Sequence, residues 1–155
     1  MTYTEYKDAR QQEFNKLPIF YAFDKKQMEE ALAERGIKYE DAPKHIYRLS
    51  NTGGYYLKKD SEVVKAFFAK DADAELRAMM EADLDFARDA IEYEMFNHEY
   101  PINWQGDWDV ASCFGNVEYD DCKYAEDYLK ELGFTDKIMQ VWNECRRKVQ
   151  QAIEW

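Results

Sequence analysis

The sequence predicts an α+β fold, predominantly helical and in a single domain, with a small N-terminal antiparallel β-hairpin or three-stranded sheet. Three observations predict it. Runs of β-branched and aromatic residues are confined to the first 60 positions, at 19–23, 45–49 and 55–58. Beyond them apolar residues recur every three or four positions, the period of a helix with one buried face. The chain of 155 residues is 46% hydrophobic and 16% aromatic, enough to bury a core and far from the composition of a disordered acidic segment. With no internal repeat and no low-complexity linker, one domain is expected over 1–155. Residues 1–60 form its β-α-β-β portion behind a leading helix, and residues 61–155 its helical portion.

The elements follow in order. A helix from about Thr4 to Lys16 carries a thin apolar stripe and stops before Pro18. Ile19–Phe23 reads as a strand. Asp24 reads as an N-cap, with Gln27 three residues on, and Gly36 as the residue that closes the helix. The runs 45–49 and 55–58 flank Ser50-Asn51-Thr52-Gly53-Gly54, a turn rich in residues that tolerate positive φ, so they predict a hairpin. Asp60-Ser61 introduces a short helix. Leu76, Met80, Leu84, Ala87, Ile91 and Met95 then predict one long amphipathic helix reaching about Phe96. Residues 97–117 read as a loop. A helix from Cys122 to Leu132 closes at Gly133, and a last one, capped by Thr135, runs to the C-terminus.

Charge is spread unevenly. Residues 71–109 hold 12 Asp/Glu against 2 Lys/Arg, which accounts for nearly all of the net −11. Such a field opposes contact with a nucleic-acid backbone and favours a cation or a basic protein surface. No apolar stretch approaches the ~18 residues that a membrane span requires. The N-terminus lacks the basic start and apolar run of an export signal. Cys113, Cys122 and Cys145 show no CxxC spacing and are expected as reduced thiols, so a cytoplasmic location is expected.

Two segments carry the remaining chemistry. If the long helix reaches His98, Glu94 and His98 share one face four residues apart, and they are the candidate metal ligands, with Glu99, Asp107 and Asp109 as further oxygen donors. HExxH is absent, and a structural Glu94–His98 pair is the competing reading. Trp104-Gln105-Gly106-Asp107-Trp108-Asp109 reads either as an aromatic clamp with flanking carboxylates or as two indoles plugging the core. The GxxxxGK[ST], GxSxG and dinucleotide fingerprints are missing, so no catalytic residue and no cofactor is assigned.

The run E-x-x-N-H-E-Y (Glu94, Asn97, His98, Glu99, Tyr100), followed by a Trp/Asp loop and two helices, resembles a family of small acidic proteins of phages and conjugative elements in gut bacteria. Tyr3-Thr4-Glu5-Tyr6, Leu17-Pro18-Ile19-Phe20 and Gly53-Gly54-Tyr55-Tyr56-Leu57 extend the likeness over most of the chain. The resemblance implies a cytoplasmic accessory protein without an attached activity.

The expectation is therefore a non-enzymatic interaction protein of a mobile element. Its binding residues would be Glu81, Asp85, Glu92, Tyr100, Trp104, Asp107, Trp108 and Asp109, engaging a host or element-encoded protein with a basic surface. A sharper variant is a counter-defence inhibitor that occupies a nucleic-acid-binding groove. The alternative is a metal-dependent enzyme centred on Glu94, His98 and Asp107.

Overall fold

The computed structural model describes residues 1–98, 104–119 and 123–153, the side chains of Trp104 and Ile153 excepted. The chain divides into two compact units, Ala9–Lys70 and Met1–Asp8 together with Asp71–Trp155. Helix α1 (Tyr3–Asn15) contributes its first turns to the second of these and the remainder to the first.

In the 9–70 unit, β1 (Ile19–Tyr21), β2 (Ile46–Leu49) and β3 (Gly54–Leu57) form an antiparallel sheet in the order β1-β3-β2. Phe20 pairs with Tyr55, and Tyr55 with Arg48, so these three point to one face. Helix α2 (Lys25–Glu34) covers that face. Leu32, fully buried, meets Phe20 and Ala42, with Met28, Ile37, Ile46 and Tyr55 packed around them. The cap read from the sequence is present, since the Gln27 N–H donates to Asp24 Oδ1 at 2.7 Å. Gly36 ends the helix at φ +71, a conformation that any side chain would strain. Helix α3 (Ala42–His45) leads into β2, and α4 (Ser61–Ala69) follows β3 and buries Val64.

The other unit is helical: α5 (Ala72–Ala82), α6 (Leu84–Asn97), α7 (Trp104–Ala111), α8 (Ala125–Glu131) and α9 (Asp136–Ile153). Its core runs from Leu76 and Met80 through Ala87, Ile91 and Met95 to Trp142, Cys145 and Val149, with Phe114 and Tyr128 closing the far side.

Two expectations are corrected. The long helix is two helices, broken at Asp83, whose extended backbone lets its carboxylate accept from the N–H groups of Asp85 and Phe86. The apolar period runs straight through this break, because an N-cap interrupts the backbone and leaves the buried stripe in phase. Residues 104–111, read as loop, are helical and lead into a 3₁₀ turn at Ser112–Phe114. There Val110, Ala111 and Phe114 bury themselves completely. That stabilisation by tertiary burial overrides the turn-forming composition of the segment.

Ile91 is fully buried on α6, whereas Val63 on α4 is 57% exposed. Ile91→Ala is expected to lower unfolding stability by about 2–5 kcal/mol and Val63→Ala by less than about 0.5 kcal/mol, as read from urea-unfolding midpoints.

Candidate metal centre

Helix α6 carries an anomaly on its inward face. Ile91 and Met95 are fully buried there, and Glu94 beside them is only 3% exposed. A buried carboxylate needs partners, and four side chains from three chain segments supply them. Tyr3, in the first turn of α1, donates its hydroxyl to Glu94 Oε1 at 2.9 Å. One turn later Lys7 sets its ammonium 3.4 Å from the same oxygen. The Cys113 thiol, in the 3₁₀ turn after α7, donates to Oε2 at 3.2 Å. His98 caps the C-terminal end of α6 and holds Nε2 at 3.4 Å from Oε2 and 3.3 Å from Cys113 Sγ. Aromatic rings close the inner side, with Tyr3 edge-on to Tyr93 and Phe86.

These contacts set the local electrostatics. Burial alone would raise the Glu94 pKa, but hydrogen bonds from Cys113 and Tyr3 and the Lys7 ammonium outweigh it and hold the carboxyl below its ordinary range. The other side of that exchange falls on the donors. Burial, followed by the Glu94 charge, raises Tyr3, and burial with the Glu94 hydrogen bond pushes the Cys113 thiol up to about 12. Cys113 is therefore a protonated thiol at neutral pH.

The arrangement is a closed triangle. Glu94, His98 and Cys113 bring one donor atom each within 4.8 Å of the other two. Along the three edges the nearest atoms are 3.2, 3.3 and 3.4 Å apart. Zinc bound tetrahedrally at about 2.0–2.3 Å separates its ligand atoms by roughly 3.3–3.6 Å, so the three donors match one face of such a tetrahedron. A Cys–His–acid relay looks different, because the thiol and the acid contact opposite ring nitrogens. Here both face Nε2. The raised thiol pKa also opposes a thiolate nucleophile. Glu94 is buried, Cys113 half-buried and His98 exposed, so the triangle opens to solvent on the histidine side.

Other residues singled out in the sequence lie elsewhere. Glu81 accepts from both the N–H and the hydroxyl of Thr135, just ahead of α9. Asp85 pairs with Arg88, and Glu92 with Lys148. Asp107 is buried and does not join the donor triangle. Trp108 is half-buried and donates its indole N–H to the Val117 carbonyl at 2.9 Å, so this indole serves the interior rather than an open clamp. Asp109 is half-buried, and its backbone carbonyl accepts from Ser112. Glu99, Tyr100, Cys122 and the Trp104 side chain lie outside the described residues. From the sequence, Cys113 is expected as a reduced thiol, and neither it nor Tyr3 nor Lys7 is assigned a part in a site. Tyr3 and Lys7 do share a helical face by their spacing, but nothing in the sequence directs that face to Glu94.

The sign of the pH dependence follows from the lowered Glu94 pKa. A depressed folded value contributes stability above the unfolded pKa, and that contribution is lost as pH falls through the folded value. In chelator-treated protein, Glu94→Gln is expected to cost about 1–3 kcal/mol at neutral pH, with the gap to wild type narrowing below pH ~4.3. Urea unfolding at several pH values measures it.

Neither a curated protein nor a solved structure matches the chain. A family model, described as a family of unknown function, matches residues 2–132. The matched span includes Tyr3, Lys7, Glu94, His98 and Cys113. The chain therefore belongs to the DUF7659 family, a family of unknown function.

Proposed function

We propose that this protein is a zinc-binding protein whose centre is Glu94, His98 and Cys113, with a fourth position open to water or substrate. The single observation behind this reading is the closed triangle of three chemically different donors, each within reach of the other two. A thiolate, an imidazole and a carboxylate together suit zinc better than magnesium or calcium, which take oxygen ligands. Three protein ligands with solvent access on one side is the pattern of a catalytic rather than a purely structural site. Zinc there would lower the pKa of a bound water to ~7, the chemistry of a hydrolase.

Within this reading Tyr3 and Lys7 are positioning residues. They hold Glu94 Oε1 and leave Oε2 turned toward Cys113 and His98. The run by which the chain resembles phage and conjugative-element proteins then contains two of the three ligands, Glu94 and His98, and its E-x-x-N-H spacing is that of a ligand pair on one helix face.

Protein purified without a His-tag is expected to retain a single zinc ion per chain by elemental analysis. Cobalt substitution should give a thiolate-to-metal absorption band, lost in Cys113→Ser and in His98→Ala. The thiol must release its proton to bind metal, so apparent affinity should rise about tenfold per pH unit through the neutral range. A wild-type protein that holds neither metal at millimolar excess overturns the reading.

A second reading, an interaction protein for a basic partner, is supported by a groove of about 430 Å³ along α6, lined by Asp89, Glu92, Tyr93, Phe96 and Asn97. Its exposed Phe96 and two carboxylates suit a basic amphipathic segment. Such a peptide should bind with a salt-sensitive affinity that Phe96→Ala weakens and His98→Ala leaves unchanged, measured by fluorescence anisotropy. Of the acidic residues Glu81, Asp85 and Glu92 expected in this role, only Glu92 lines the groove, so the groove rather than the whole acidic face is the surface proposed.

A further inference from the structure

The 9–70 unit carries the opposite charge to the rest of the chain, 12 Lys/Arg against 9 Asp/Glu in a protein of net −11. Part of that excess converges on one cavity of about 360 Å³. Arg35 reaches it from the end of α2, Lys44 and His45 from α3, and Lys58 and Lys59 from the turn after β3. Ile37 and Leu57 give it an apolar side. Among the described residues lining it, none is acidic.

Intramolecular contacts leave these cations largely uncommitted. Arg35 donates Nη1 to the Ala31 carbonyl at 2.7 Å and lies over the Phe20 ring at 4.1 Å, which fixes its guanidinium and leaves further N–H donors. Its carboxylate neighbour, Glu34, is 3.9 Å away and 79% exposed, a loose surface pair. Lys58 lies over the Tyr47 ring. Lys44 and Lys59 form no ion pair among the described residues. Gathering four positive charges and a histidine around one cavity is electrostatically unfavourable, and a bound anion relieves that repulsion.

We infer that this cavity binds a phosphomonoester of roughly nucleoside-monophosphate size. The volume exceeds what a lone phosphate fills and lies within the ~300–1,000 Å³ range of small-molecule sites. A dianionic monoester matches several cations around one point better than the single charge of each phosphodiester. Ile37 and Leu57 supply the apolar contact that a base or ring would use. The site lies wholly within the 9–70 unit and does not depend on the zinc reading.

Amide NMR on the full chain tests it. Inorganic phosphate and a nucleoside monophosphate should perturb signals clustered at residues 35–37, 44–45 and 57–59, with tighter binding for the nucleotide. Both lysines are exposed, so Lys44→Glu/Lys59→Glu should keep the wild-type circular dichroism spectrum and lose about tenfold or more in affinity, as expected for charge-assisted hydrogen bonds. Lys44→Ala/Lys59→Ala should lose less but in the same direction, and His98→Ala should bind as wild type does. No perturbation at millimolar phosphate overturns the inference. So does tighter binding of a single-stranded oligonucleotide than of the monophosphate, or nucleotide affinity unchanged in both lysine double variants.

Discussion

A single carboxylate placed where a helix should present an apolar residue organises one end of the molecule. Glu94 lies between Ile91 and Met95 on the buried face of α6, and leaving it unpaired would cost several kcal/mol. Its compensation draws in Tyr3 and Lys7 from the start of the chain, His98 from the end of the same helix and Cys113 from the turn after α7. The N-terminal turns of α1 are held further by the Tyr3 N–H, which donates to Asp89 one turn earlier on α6 at 2.7 Å. Tyr3 is consequently 4% exposed although it is the third residue of the sequence. The same requirement that holds these segments together gathers the donor atoms that zinc would use.

The acidic block has a more ordinary explanation than its charge first implied. Several of its carboxylates act within the fold. Asp71 and Asp83 cap α5 and α6, Asp89 accepts from the Tyr3 backbone, and Glu81 holds the residue before α9. Caps and short pairs of this kind stabilise helix ends and junctions locally. Because these acids are engaged within the chain, the charge carries less information about partners than a free acidic surface would. The basic excess of the 9–70 unit is the reverse case, since Lys44 and Lys59 have no acidic partner among the described residues.

Local chemistry was legible. Asp24, Gly36, the 50–54 turn and the apolar spacing of the C-terminal helix each depend on neighbours within a few residues, and each appears in the structure as the sequence predicts. The Asp83 break was not legible from periodicity, because the buried stripe continues across it. Helix α7 was missed for the opposite reason: Gly106, Asp107 and Asp109 read as turn formers, and only the burial of Val110, Ala111 and Phe114 fixes that segment as helix. Glu94 and His98 were paired correctly because four residues make one helical turn. Asp107 lies outside the donor triangle, and Cys113, its third member, carries no local signal at all.

The sequence by itself determined the helical period, the caps, the hairpin and the Glu94–His98 pair, since all of these follow from backbone geometry over one or two turns. Only the tertiary structure decided that Tyr3, Lys7 and Cys113 meet that pair, and that Arg35, Lys44, His45, Lys58 and Lys59 share one cavity. Those encounters join residues far apart in the chain. They are selected by burial of a whole core and by compensation of buried or like charges, terms that no stretch of neighbouring residues contains.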